Sequence, residues 1–109
     1  MNNFAKEKCT PIEKGAAPLA RGEVERLIKD LSGWTSNPAA TAITKTYSFK
    51  DFLTALSFAN AIAFLAEREG HHPDLAISWG EVEITLSTHS LKGLSRNDFI
   101  LAAKIDALR

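Results

Sequence analysis

Apolar residues recur along the chain with two distinct periods, and the change of period marks out the elements. In "RGEVERLIKDLSGW", Val24, Leu27, Ile28 and Leu31 fall at helical spacing, and Gly33 is placed to end the helix. "TAITKTYSF" alternates Ile43, Lys45 and Tyr47 against Thr44, Thr46 and Ser48, the period of a strand rich in β-branched residues. Trp34, Thr35 and Ser36 predict the start of its hairpin partner, interrupted by Asn37–Pro38. A long helix follows, with Ser48 as its expected cap and Asp51 three residues on. It runs to about Arg68 and stops at Gly70. This helix carries two apolar stripes: Phe52, Leu56, Ala59 and Ala63 on one side, and Phe58, Ile62 and Leu65 on the other. Two stripes need two partners, the sheet and either another element or another subunit.

"LAISWGEVEITLSTH" returns to a period of two. It predicts strands over Leu75–Trp79 and Val82–Thr88 joined at Gly80–Glu81, with Val82, Ile84 and Leu86 facing one way. "GLSRNDFILAAKIDAL" predicts a last helix, with Ser95 at the N-cap and Asp98 at the third helical position. Residues 1–19, with Pro11, Gly15 and Pro18, have no period and are expected to form an irregular arm ahead of a single domain over 20–109. The order of elements predicts an α+β fold: a four-stranded antiparallel sheet with three helices packed on one face.

Composition narrows the function classes. The chain has 109 residues, 45% of them hydrophobic and 24% charged, enough for one domain with one core. Thirteen basic and thirteen acidic residues balance. There is no basic surplus for nucleic acid, and little net repulsion to oppose self-association. The longest apolar run, "FLTALSFANAIAFLA", is shorter than the roughly twenty residues a membrane span needs. The first twenty residues mix Lys and Glu and have no apolar core of the secretory kind. Cys9 is the one cysteine; it is expected in a loosely held segment and points to a reducing, cytoplasmic setting.

Candidate chemistry concentrates in the three histidines. His71 and His72 are adjacent and followed by Pro73 in "EREGHHPD", and His89 ends the last predicted strand. An imidazole both gives and takes protons near neutral pH, so the three can serve general acid–base catalysis. Adjacent side chains on extended backbone diverge, so aiming both at one cleft is expected to need a turn through "GHHPD". The same residues can equally be hydrogen-bonded surface or cap groups. A zinc site from all three would need His71 and His72 as adjacent ligands from one loop, which is geometrically awkward, and no Cys or Glu stands at a metal spacing, so no metal is expected. Asp98 has a simple alternative as a helix N-terminal acid, and Glu67 as a solvated helix residue.

Together these residues resemble the pterin-4a-carbinolamine dehydratase family. Its signature is a charged residue, three residues, His-His-Pro, a short gap, an aromatic residue, nine residues, His, and an Asp beyond. Glu67, His71-His72-Pro73, Trp79, His89 and Asp98 fill those places. "FKDF" at Phe49–Phe52, "STH" at Ser87–His89, "GLS" from Gly93 and Gly33–Trp34 are similar too, and the likeness covers nearly all of 19–109. "KCTPIEKGAAPL" resembles the arm of longer, bacterial-type members, many of which carry a second cysteine where this chain has Ile12.

The resemblance implies loss of water from a 4a-hydroxytetrahydropterin, giving quinonoid dihydropterin, with no cofactor and no metal. It implies His72 and His89 as proton movers, His71 as the group that orients substrate, and Asp98 as the carboxylate supporting His89. Glu67, Pro73, Ser87 and Thr88 are implied near the substrate, with Trp34 and Trp79 as walls. It also implies a homo-oligomer, a dimer or a tetramer built as a dimer of dimers, using the 49–69 helix and sheet edges. An aromatic amino acid hydroxylase is implied as the source of substrate. The family also includes dimerisation cofactors of a transcription factor, which makes an interaction module the alternative; a pterin-binding module without turnover is a third.

Overall fold

A computed structural model describes residues 2–109. The elements are α1 (Arg21–Leu27), β1 (Thr35–Ser36), β2 (Ile43–Ser48), α2 (Phe52–Glu69), β3 (Asp74–Ser78), β4 (Glu81–Leu86) and α3 (Arg96–Asp106). The four strands form one antiparallel sheet in the order β1-β2-β4-β3. The expected α+β architecture is the one observed.

One face of the sheet makes the core. Ile43 pairs with Leu86 and Tyr47 with Val82 across β2 and β4, and these residues are buried together with Ile84. Val24 and Leu27 of α1, Phe58, Ile62 and Leu65 of α2, and Phe99, Leu101 and Ile105 of α3 close over them. Each large apolar side chain so buried contributes roughly 1.5–3 kcal/mol, which fixes the register, because a one-residue slip would turn Val82, Ile84 and Leu86 outward. The stripe of α2 that meets the core is therefore Phe58, Ile62 and Leu65, joined by Ala55, Ala59 and Ala66. Phe52, Leu53 and Phe64 stay exposed, Phe64 at 80%.

Four local expectations are corrected. The first helix tightens to a 3₁₀ turn at Ile28–Asp30 instead of running on to Leu31, as short helices often do at their last turn. Ser48 does not cap α2, because the β2 ladder extends to a Ser48–Glu81 pair. Asp51 caps it instead, its carboxylate accepting the Thr54 N–H at 2.8 Å. The hairpin turns at Trp79–Gly80, one residue earlier than expected, since Ser78 pairs with Glu81.

The fourth correction is Cys9, which is not loosely held. Phe4 of the arm is buried against Phe99, with ring centroids 5.9 Å apart. Arg96 grips the Glu7 carboxylate with two bonds of 2.7 Å, and Lys104 donates to the Ala5 carbonyl. The Cys9 N–H donates to Glu69 at 3.0 Å, and its thiol lies 3.6 Å from the Asn97 carbonyl. Burial, reinforced by the Glu69 carboxylate, pushes the thiol up to about 12.

Candidate active site

The site forms where α2 ends, α3 begins and the β3–β4 hairpin opens. Gly70 stops α2 in the left-handed conformation, φ +69°, and its N–H and that of His71 both donate to the Ala66 carbonyl. The turn in this segment is made at Gly70, and His71, His72 and Pro73 then lead straight into β3 at Asp74. Pro73 disfavours helical backbone at His72, and the two imidazoles sit at different depths. His71 turns inward, its side chain 10% exposed; that of His72 is 60% exposed.

Each imidazole meets its own carboxylate. His71 Nε2 lies 2.6 Å from Asp98 Oδ1, and His72 Nε2 lies 2.5 Å from Glu67 Oε2, on the last turn of α2. His89 opens a 3₁₀ turn after β4, with its side chain 73% exposed and Nε2 3.8 Å from Asp74 Oδ2. The antiparallel register brings these two ends together, since Asp74 pairs with Thr85.

Asp98 is fully buried and completes a network. Its Oδ2 accepts the Thr88 hydroxyl at 2.8 Å and the Ser95 N–H at 2.9 Å, and the Thr88 and Ser95 hydroxyls lie 2.7 Å apart. The Ser95/Asp98 capping box read from the sequence is present. Capping and imidazole support are thus shared between the two oxygens of one carboxylate. The supported imidazole, however, is His71 and not His89. His89 lies beyond the strand end on a turn that faces solvent, while the inward side of the Gly70–Pro73 segment places His71 at the α3 N-terminus.

His71, His72, Pro73, Ser87, Thr88 and His89 all line one cavity of about 280 Å³, close to the lower end for small-molecule sites. An adjoining cavity of about 310 Å³ shares Ser87, Thr88 and His89 with it and adds Thr41, Ala42, Lys92 and Gly93. Trp34 and Trp79 are not brought to this place. Trp34 is buried and donates to Asp106 at the far end of α3, and Trp79 stands exposed at the tip of the hairpin, about 17 Å along β3 from Asp74. Sequence reasoning missed Asp74 and Ile12, which also line the cavity. Asp74 follows Pro73 directly and was within reach of a register argument; Ile12 stood out only as a departure within the arm, more than fifty residues away from the histidine pair.

Among the described residues no three His, Cys, Asp or Glu side chains converge as metal ligands. A larger cavity of about 560 Å³ lies elsewhere, beside Lys45, Tyr47, Asp106 and Arg109. There Lys45, Tyr47 and Trp34 all donate to Asp106, and burial together with that carboxylate pushes the Tyr47 hydroxyl upward. These donors and the acceptor satisfy one another, and no histidine is near.

The chain thus combines an antiparallel α+β fold with imidazoles set beside carboxylates at the open end of a hairpin. The chain belongs to the pterin 4 alpha carbinolamine dehydratase family, whose model matches residues 17–108. A relative from Alkaliphilus metalliredigens named "Putative pterin-4-alpha-carbinolamine dehydratase" is 46% identical over 97% of this chain and 96% of its own length. One from Rickettsia bellii with the same name is 45% identical over 98% and 95%. A crystal structure from Brucella melitensis, described as a transcriptional coactivator/pterin dehydratase, superposes with TM-score 0.78 at 35% identity, covering 84% of this chain and 97% of that one. A pterin dehydratase-like protein described as a RuBisCO assembly factor in the alpha-carboxysome gives 0.61 at 26%, covering 72% and 90%.

Proposed function

We propose that the protein dehydrates 4a-hydroxytetrahydropterins to quinonoid dihydropterin, with histidines moving the protons. The observation that carries this is the set of three imidazoles on one cavity, each with its own carboxylate, in a chain of this family. The C4a–O bond breaks and the hydroxyl leaves as water, taking one proton. The ring nitrogen beside C4a loses one proton as the double bond forms. Protons therefore balance, and the reaction is neither oxidation nor reduction.

Burial suggests the division of labour. His71, held by a fully buried carboxylate, orients substrate; His72 and His89, open to the cavity and to solvent, give and take the protons. Glu67 and Asp74 position those two rings. Asp98 positions His71, and the Ser87 and Thr88 edge contacts the pterin. The role fits recycling of a tetrahydrobiopterin-type cofactor in the cytoplasm, with substrate released by an aromatic amino acid hydroxylase. The decisive experiment is dehydration of enzymatically generated 4a-hydroxytetrahydropterin. Turnover above the spontaneous rate supports the proposal; pterin binding without acceleration favours a binding module instead.

A second reading rests on a separate observation. Phe52, Leu53 and Phe64 form an exposed apolar face on α2 that no described residue covers. Such a face suits self-association into a homotetramer. It also suits docking to another protein, as the coactivator description of the Brucella protein suggests.

A further inference from the structure

The N-terminal arm reaches the histidine cavity and is anchored to both helix ends that build it. Asn97, buried at 5% exposure, accepts the Thr10 N–H at 3.0 Å and returns a bond of 2.7 Å from Nδ2 to the Thr10 carbonyl. This reciprocal pair holds Thr10 much as a neighbouring strand would. One residue earlier, the Cys9 N–H is held by Glu69. Glu69 immediately precedes Gly70 and His71, and Asn97 immediately precedes Asp98. The arm is therefore clasped to the two positions that set the His71–Asp98 pair. Pro11 follows and restricts the backbone, and Ile12 then lines the cavity.

Ile12 differs in kind from its neighbours in that wall. The other described lining residues are imidazoles, hydroxyls, Asp74, Gly70 and Pro73, so Ile12 brings the large aliphatic side chain. Small-molecule sites pair a few placed polar groups with an apolar surface that seats the ring and displaces water. The polar groups here come from the helix and strand ends, and the large aliphatic side chain comes from the arm.

We propose that Ile12, fixed by the Thr10–Asn97 clasp, is the apolar substrate-contacting wall of the histidine cavity, so that the arm is part of the substrate site. The inference rests on the pterin reading above and names a residue within it. Ile12 touches the ring in ground and transition states alike, so its loss raises KM and leaves kcat in place.

The test uses the full chain with Ile12→Ala and Ile12→Val. Dehydration kinetics are measured on in situ generated 4a-hydroxytetrahydropterin, and binding of the stable analogue 7,8-dihydrobiopterin by fluorescence quenching. Ile12→Ala is expected to raise KM and the analogue's Kd about tenfold, the low end for a lost apolar contact because Ile12 is only half-buried. Its kcat should stay within about threefold, and Ile12→Val should restore both constants to within about twofold. Unchanged KM and Kd in Ile12→Ala, with an active wild type, would overturn this inference alone. A wild type that binds the analogue through Ile12 without turnover keeps the wall and sinks the dehydratase reading. A wild type that neither turns over nor binds sinks both.

Discussion

Asp98→Asn isolates the carboxylate at the centre of the site. The side chain keeps its size, but of its two ends only one still accepts. Oδ2 serves two donors, the Thr88 hydroxyl and the Ser95 N–H, at 2.8 and 2.9 Å. The amide oxygen settles there, because turning it away would set two N–H groups against the Ser95 N–H. The amide nitrogen then faces His71 Nε2 at the 2.6 Å contact, where two N–H groups collide unless the imidazole moves its proton to Nδ1. Bonds to a charged acceptor contribute about 1.5–3 kcal/mol against about 0.5–1.5 for neutral ones. Relief from burying a charge offsets part of the loss, leaving a destabilisation of about 1–2 kcal/mol. At about 4–8 °C per kcal/mol, Tm falls by about 4–16 °C. Turnover should fall by more than stability explains, about 10–100-fold, because a reoriented His71 misplaces the substrate. Steady-state dehydration kinetics measured well below the lowered Tm, with ¹⁵N spectra reporting the imidazole tautomer, check both parts. A variant with the expected Tm loss, an unswitched tautomer and turnover within twofold of wild type would show that Asp98 only caps α3.

The other expectations are shorter. His72→Ala and His89→Ala should each lower turnover by about 10²-fold or more while the folds persist, since both rings are mostly exposed; near-native rates in both would make the histidines structural. Turnover should be insensitive to a chelator, and loss restored by zinc would revive a metal role. With its thiol held near 12, Cys9 should react with a disulfide reagent at pH 8 about 10³-fold more slowly in the native protein than in denaturant; equal rates would refute the burial argument. Because that value is raised on folding, its stabilising contribution is complete below the unfolded value near 9 and is lost as pH rises toward 12. Light scattering should give a homo-oligomer, because each large apolar side chain on the open face of α2 adds roughly 1.5–3 kcal/mol when covered; a stable 11.9 kDa monomer would refute this.

What the sequence showed, and what it hid, follows from the range of the interactions involved. Val82, Ile84 and Leu86 announce a strand because their burial is periodic within six residues, and Ser95 and Asp98 announce a helix start because the capping box is local. Ser48 misled because its competing partner, Glu81, lies across the sheet. The stripes of α2 were visible, but their assignment depends on which one meets Val82 and Ile84. The partner of Asp98 was hidden for a similar reason. His89 is nearer in sequence, yet the close packing of the α2 terminus on α3 delivers His71. Trp34 and Trp79 show the limit of a motif: membership was readable from them, whereas their positions, on Asp106 and at a hairpin tip, are properties of the folded chain.

The unequal burial of the three imidazoles has a chemical consequence. A dehydration consumes one proton at the leaving hydroxyl and releases one at the ring nitrogen, so the cycle is proton-neutral overall but not at any one group. If two histidines divide the work, each finishes a turnover in the wrong protonation state and must be reset. An imidazole enclosed beside a fully buried carboxylate exchanges protons with water slowly and suits a fixed, orienting role; His71 is so placed. In the proposed reaction His72 and His89, at 60% and 73% exposure, are the rings that solvent would reset between turnovers. Their carboxylates are exposed as well: Glu67 hydrogen-bonds His72, and Asp74 lies 3.8 Å from His89, without sealing either ring from water. The open end of a hairpin beside two helix termini provides both environments within a few residues. That explains how a chain of 109 residues can present one locked imidazole and two exchangeable ones to the same small cavity.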